Sequence, residues 1–176
     1  MPKSYDTNNE AVKLMKQAID IAANGEAIHD KLSRSAHMKG FQGFKRWHRI
    51  HSKDDREHRI KLQHYVIDMF EENLEPLWDY LLIEPTDLKD HLNKYLDWEI
   101  GVYKEVNKIA NELVLKGYNY EAEEVSDCVK GVVKEIEKIR RWIDTFDKVE
   151  WDMSYILLVD KKLHDKCKDV EKGQNI

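Results

Sequence analysis

Apolar residues recur at steps of three and four along almost the whole chain, the spacing of one face of an α-helix. From about Asn8 to Met38 the stripe is Ala11, Leu14, Ala18, Ile21, Ile28 and Leu32, with Asp6, Thr7 and Asn8 available as caps. Gly25 weakens this helix by about 1 kcal/mol relative to Ala, which allows a bend or a close contact there. A tight connection, Lys39 to Gly43, leads into a second helix that runs to about Glu72. The stretch Asn73 to Pro85 is irregular, yet it contains Leu77, Trp78, Tyr80, Leu81 and Leu82. Its length suits a crossover along a bundle, and its apolar content predicts packing. Thr86 or Asp87 then caps a third helix carrying Leu88, Leu92, Tyr95, Glu99, Val102, Val106, Ile109 and Leu113, ended by Gly117. The fourth, about Glu121 to Asp147, carries Val125, Val129, Val132, Ile136, Ile139, Ile143 and Phe146. A short helix from Met153 to about Lys168 follows, and residues Glu171 to Ile176 are predicted to fray. The fold class is all-α: a four-helix bundle over residues 8–147, with a long crossover between helices 2 and 3. A short fifth helix and tail occupy residues 148–176.

One stripe breaks the pattern. The second helix reads Phe41, Phe44, His48, His51, Asp55, His58, Leu62, Tyr65, Met69, apolar at both ends and polar between. At 3.6 residues per turn its four polar members fall within roughly 80° of one another. Burying three imidazoles and a carboxylate without partners costs several kcal/mol, and a metal ion is the leading way to satisfy them.

Composition narrows the function. Charged residues are 36% of the chain, with three Pro and seven Gly, which suits long helices with a solvated face. A net charge of −5 and a pI near 5.9 argue against nucleic-acid binding as the main role. The N-terminal MPKSYDTNNE lacks an apolar signal region, and no apolar run approaches the roughly 20 residues of a membrane span. Cys128 and Cys167 are too few and too far apart for a disulfide framework or a zinc cluster. The expectation is a soluble cytoplasmic protein with reduced thiols and no membrane partner.

Each long helix also carries acid on or beside its apolar stripe. Glu26 and His29 lie one turn apart on the first helix, and Asp55 and His58 stand at i and i+3 on the second. Glu99 interrupts the third stripe between Tyr95 and Val102, while Glu135 shares a face with Cys128, Val132, Ile139 and Trp142. Carboxylates and imidazoles projecting from four helices into one core are what a di-iron carboxylate site requires. Taken singly, each has a plainer reading. Glu99 or Glu135 alone could be a bundle-edge residue in water, and Asp54, Arg56, Glu57 and Arg59 a solvated face. Cys128 could be a small core residue, and the five Trp core or interface anchors. His48 and His51 are supporting candidates, behind the ligands or at an interface. The coincidence of four helices is what raises the metal reading.

These residues resemble the bacterial non-haem ferritins. Gly43-Phe44-Lys45-Arg46-Trp47 and Asp54-Asp55-Arg56-Glu57-His58 look like the ferritin second helix. Tyr95-Leu96-Asp97-Trp98-Glu99 is similar to the third-helix metal segment, and Tyr155 to Leu163 to a C-terminal segment of prokaryotic ferritins. The resemblance covers nearly the whole chain and implies a ferritin-like bundle. By it, Asp55 takes the bridging-carboxylate position, His58 the imidazole, Glu99 the third-helix carboxylate and Glu135 the later fourth-helix position. Two departures stand out: Ala22 occupies the first-helix Glu position, leaving Glu26 or His29 to replace it, and Val132 occupies a Gln or Glu position. Arg56 stands where bacterioferritins carry a haem-ligating Met, so no haem is expected. The implied function is oxidation of Fe(II) at a di-iron site made by Glu26, Asp55, His58, Glu99 and Glu135. Asp55, His58 and Glu99 would be its catalytic members. Iron would then be stored within a multi-subunit shell of self-associated chains. The alternative is a non-catalytic structural or co-assembling subunit with a degenerate metal site. A mini-ferritin protecting DNA is a third reading, disfavoured by the long C-terminal helix, the acidic balance and the lack of a basic tail.

Overall fold

The computed structural model describes residues 10–79 and 83–171, and within them the chain forms five helices. These are α1 (Glu10–Met38), α2 (Gln42–Phe70), α3 (Leu88–Leu115), α4 (Asn119–Lys148) and α5 (Met153–Glu171). No strand occurs among the described residues, as the uniform three-four periodicity predicts. The caps expected at Asp6, Thr7 and Asn8, the crossover residues Tyr80 to Leu82 and the tail after Glu171 lie outside the described residues.

Local signals place most helix ends. Asp87, not Thr86, is the α3 cap: its carboxylate accepts from the Asp90 N–H at 2.8 Å. Gly117 turns the chain after α3 at φ +85°, a left-handed conformation that suits a residue without Cβ. The start of α2 is different, because Phe41 offers no side-chain cap. Asp160 of α5 supplies it, its Oδ1 accepting from the Phe44 N–H at 2.9 Å. The α5 helix lies against this end of α2 closely enough that a Cβ on Gly43 would sit 2.0 Å from the Asp160 carbonyl oxygen. Glu171, expected to fray, instead ends α5 and pairs with Arg46 of α2.

His48 near the start of α2 meets His91 near the start of α3, so these two helices run parallel. The crossover therefore travels the length of the bundle. It is tied to α1 by polar contacts as much as by packing. Asp20 accepts from the Leu77 N–H at 2.7 Å, and Asn24 accepts from the Asp79 N–H at 2.7 Å. Leu74 and Ile83 pack inward, but Leu77 is 66% exposed and Trp78 40%, so the expected packing is partial.

The core is divided. At one end Met15, Ile19, Leu62, Val66, Ile109 and Leu113 pack together, and at the other Ile28, Leu32, Phe44, Leu92, Ile139 and Phe146. Each such side chain contributes about 1.5–3 kcal/mol when fully buried. The polar middle of the α2 stripe lies between the two clusters. Met69, expected at the buried end of that stripe, is 50% exposed.

Candidate metal centre

Each of the four long helices delivers a donor to the layer between the core clusters. His29 comes from α1, Asp55 and His51 from α2, Glu99 from α3 and Glu135 from α4. His29 Nε2 stands 3.5 Å from Glu99 Oε1, 3.6 Å from Asp55 Oδ2 and 3.9 Å from Glu135 Oε2. His29, Glu99 and Glu135 each offer one ligand atom, all within 4.8 Å of one another. Donors about 2.1 Å from a shared ion, at ordinary coordination angles, stand about 3.0–3.5 Å apart. The His29–Glu99 distance stands at the edge of that range and the others a few tenths of an ångström beyond it, so small side-chain shifts would close the set on a cation, and the mixed imidazole and carboxylate set suits iron, manganese or zinc.

The electrostatics agree. Burial, reinforced by Glu135, holds the Glu99 carboxyl well above its ordinary range. Burial likewise raises Asp55 strongly, with Glu99 and Glu135 adding to the effect and His29 opposing it. The Asp55 side chain, 28% exposed, lines a cavity. Burial would raise Glu135 too, but His51 Nδ1 at 2.9 Å, the nearby His29 and the Tyr95 hydroxyl outweigh it and hold its carboxyl low. The same pairing outweighs burial at His51 and raises that imidazole. Three carboxylates crowded in low dielectric repel one another, and a cation among them removes that cost.

Behind the donors runs a row of imidazoles. His29 Nδ1 lies 3.0 Å from His48 Nδ1, and His48 Nε2 lies 2.8 Å from His91 Nε2. Burial lowers all three, His48 well below its ordinary value and His91 to about 4, so the row is neutral. When His29 presents the Nε2 lone pair to a cation, its Nδ1–H must donate to His48 Nδ1. His48 Nε2–H then donates to His91 Nε2, which leaves the last proton on His91 Nδ1, a buried atom without a protein partner. Ligation at one end thus sets the tautomer of the whole row. On the other flank Trp47 Nε1–H donates to the Tyr95 hydroxyl at 3.1 Å, and that hydroxyl bonds Glu135.

A cavity of about 770 Å³ opens beside the cluster, with Asp55, His58, Glu99 and Glu135 in its wall. Gly25 of α1 makes room for Asp55: a Cβ there would lie 2.4 Å from Asp55 Oδ2. The structure brings Glu99 and Glu135 together with His29, the alternative on the first helix, and sets Asp55 beside His29 at 3.6 Å. His58 lines the same cavity outside that cluster. Glu26 is engaged elsewhere, its carboxylate held by Arg56 Nε at 2.7 Å and by Arg59 at 3.2 Å. His51, given a supporting place in the sequence reading, touches the cluster directly. His91 and Tyr95 were missed as polar members, although both fall on the α3 stripe that holds Leu88, Leu92 and Glu99. A scan of that stripe for side-chain hydrogen-bonding groups would have found them.

No protein-family model matches the sequence, and no curated protein does. Solved structures do resemble it. A closed form of the Archaeoglobus fulgidus ferritin, made by site-directed mutagenesis, superposes with a TM-score of 0.81 at 14% identity, over 90% of this chain and 97% of that one. A humanized archaeal ferritin gives 0.82 at 14% identity over 90% and 98%. The open-pore ferritin of Archaeoglobus fulgidus gives 0.78 at 14% identity over the same shares. The fold is ferritin-like. These structures are archaeal ferritins, so the likeness reaches the ferritin fold at large and not the bacterial non-haem type in particular. Among the described residues of this ferritin-like chain, no helix is long and apolar enough to cross a membrane.

Proposed function

We propose that this chain binds Fe(II) within its bundle and oxidises it, as a ferritin-like iron-storing or iron-detoxifying protein. The observation that carries the reading is the meeting of His29, Glu99 and Glu135 from three helices, their donor atoms within 4.8 Å of one another, with Asp55 of the fourth helix 3.6 Å from His29. Fe(II) is the substrate, and dioxygen or peroxide takes its electrons. The carboxylates neutralise the ion and favour Fe(III), the harder product. His29 is the α1 ligand in place of Glu26, whose charge Arg56 and Arg59 consume. Asp55 and His58, one turn apart on α2 and both in the cavity wall, would hold a second ion on that side. The chains self-associate into a shell that receives the product, in a cytoplasmic setting.

A second reading has its own support. Ala22 and Val132, at positions where the resemblance expects oxygen ligands, make an apolar wall beside the cluster. A centre lacking those ligands would hold one ion and serve a non-catalytic or co-assembling subunit.

Anaerobic Fe(II) addition followed by air separates the two readings. Ferroxidase activity gives an oxo-bridged Fe(III) absorbance that a Glu99→Ala/Glu135→Ala variant loses. Equal oxidation rates in wild type and variant would overturn the enzymatic reading. A stoichiometry of one tightly bound ion without oxidation would select the second reading.

A further inference from the structure

The cavity is far larger than an ion and dioxygen need, and its chemistry is sorted by position. Its lining includes the buried Ala22 of α1, Val106 of α3, and Val125 and Val132 of α4, with Val102 of α3 half-buried. Its lining also includes the exposed Lys134 and Arg141 and half-buried Lys138 of α4 and the exposed Lys166 of α5, with Lys138 close enough to Arg141 and Lys166 to feel their charge. Residues 134, 138 and 141 fall at helical spacing on one face, so the cations gather at one rim. Two acids also line the cavity outside the metal cluster: Glu137 reaches Arg141 at 3.8 Å, and Asp54 reaches His51 at 3.9 Å. Lys134, Lys138 and Lys166 have no acid partner among the described residues. Lys138 instead lies 5.5 Å above the Trp142 ring. Burial and the neighbouring Lys166 and Arg141 hold the Lys138 ammonium below its ordinary value, so the rim repels itself.

A chain of net charge −5 that gathers unpaired cations at the edge of an apolar cavity is complementary to one kind of molecule. The structure assigns to this cavity a small amphipathic anion, its carboxylate on Lys138 and Lys166 and its hydrocarbon chain running inward between Ala22, Val106 and Val132. From Val125 to Lys138 the cavity follows thirteen residues of α4, about 20 Å at 1.5 Å per residue, so the chain is extended and unbranched. The ligand lies against the wall that holds Asp55 and Glu99 and narrows the free space beside them. This assignment does not rest on the iron reading, because the apolar wall and the basic rim exist without a metal.

The test is laurate binding to the metal-free full chain by calorimetry and by the fluorescence of Trp47 and Trp98, which line the cavity. Dodecanol, of equal chain length and no charge, is the control. Laurate binds about tenfold more tightly than dodecanol, the worth of two partly screened charge contacts. Lys138→Gln/Lys166→Gln removes that preference and leaves dodecanol binding unchanged. Val132→Phe, with its melting temperature checked, weakens both ligands, and Val106→Phe gives a second occlusion should Val132→Phe fail to fold. Absence of laurate binding, equal affinity for the two probes, or a preference that survives the double Lys variant would overturn the assignment. Iron oxidation measured on the same variants reports separately, since the Lys substitutions leave every proposed iron ligand in place.

Discussion

Gly25 is where packing and chemistry compete most directly. Helix propensity favours Ala there by about 1 kcal/mol, yet a Cβ would lie 2.4 Å from Asp55 Oδ2. The carboxylate, a flexible side-chain end, would swing away from His29. Gly25→Ala is therefore expected to melt at the wild-type temperature or above, while anaerobic Fe(II) affinity falls about tenfold, or about 1.4 kcal/mol. Unchanged affinity would remove Asp55 from the site. His91 offers a second test at this scale. Its folded value of about 4 lies below the ordinary 6.5, because burial disfavours the charged ring. Between those pH values the unfolded chain holds a proton that the folded chain does not, so stability falls as pH drops through 6.5 toward 4. The term reaches up to about 3 kcal/mol. Asp55 and Glu99 act in the opposite sense, since their raised carboxyls take up protons first in the folded state. His91→Phe keeps those groups and removes the imidazole. Between pH 7 and pH 4, denaturant unfolding should show the wild type losing up to about 3 kcal/mol more than the variant.

At the scale of elements, α5 acts as the cap of α2. A first turn without its own capping side chain borrows Asp160, and Gly43 permits the close approach. Asp160→Ala should cost about 1–2 kcal/mol, the usual worth of a helix cap. Gly43→Ala should cost more, because its Cβ meets backbone that cannot move without shifting α5. Hydrogen exchange would show both changes as lost protection in α5 and the first turn of α2, with α3 and α4 unaffected. Loss spread evenly over all five helices would contradict a local capping role. The segment around Asp160 is the one whose sequence looks like a prokaryotic ferritin C-terminal stretch, and its physical task here is this cap. The crossover is likewise set by Asp20 and Asn24, polar residues on α1 that hold its backbone N–H groups.

The molecule as a whole divides its apolar core into two clusters and places its charged chemistry between them. That arrangement costs stability in the middle, where polar groups replace Leu and Ile, and the two end clusters offset it. Outside, Met38 is 87% exposed and Leu115 86%, single apolar side chains at helix ends. Native mass measurement is expected to find a multi-subunit particle. A monomer or dimer that persists at high protein concentration would count against storage while leaving metal binding intact.

The periodicity of three and four was enough to place five helices and their order, because amphipathic stripes of this length admit little else. The interruption of the α2 stripe also disclosed the level of the site, since polar residues on a buried face need partners. Asp55, Glu99 and Glu135 stood out as candidates for that reason, and the bundle brings Glu99 and Glu135 within reach of His29. The side chain that completes the α1 contribution was not legible. Glu26 and His29 are one turn apart and equally polar, and only the packing of α2 against α1 put Arg56 and Arg59 on the first and the carboxylates on the second. His91 joined the imidazole row through contacts 43 residues apart in sequence. Helix spacing is a local property that a chain reveals in one dimension. Which donors share an ion depends on distances between helices, and those exist only once the bundle has closed.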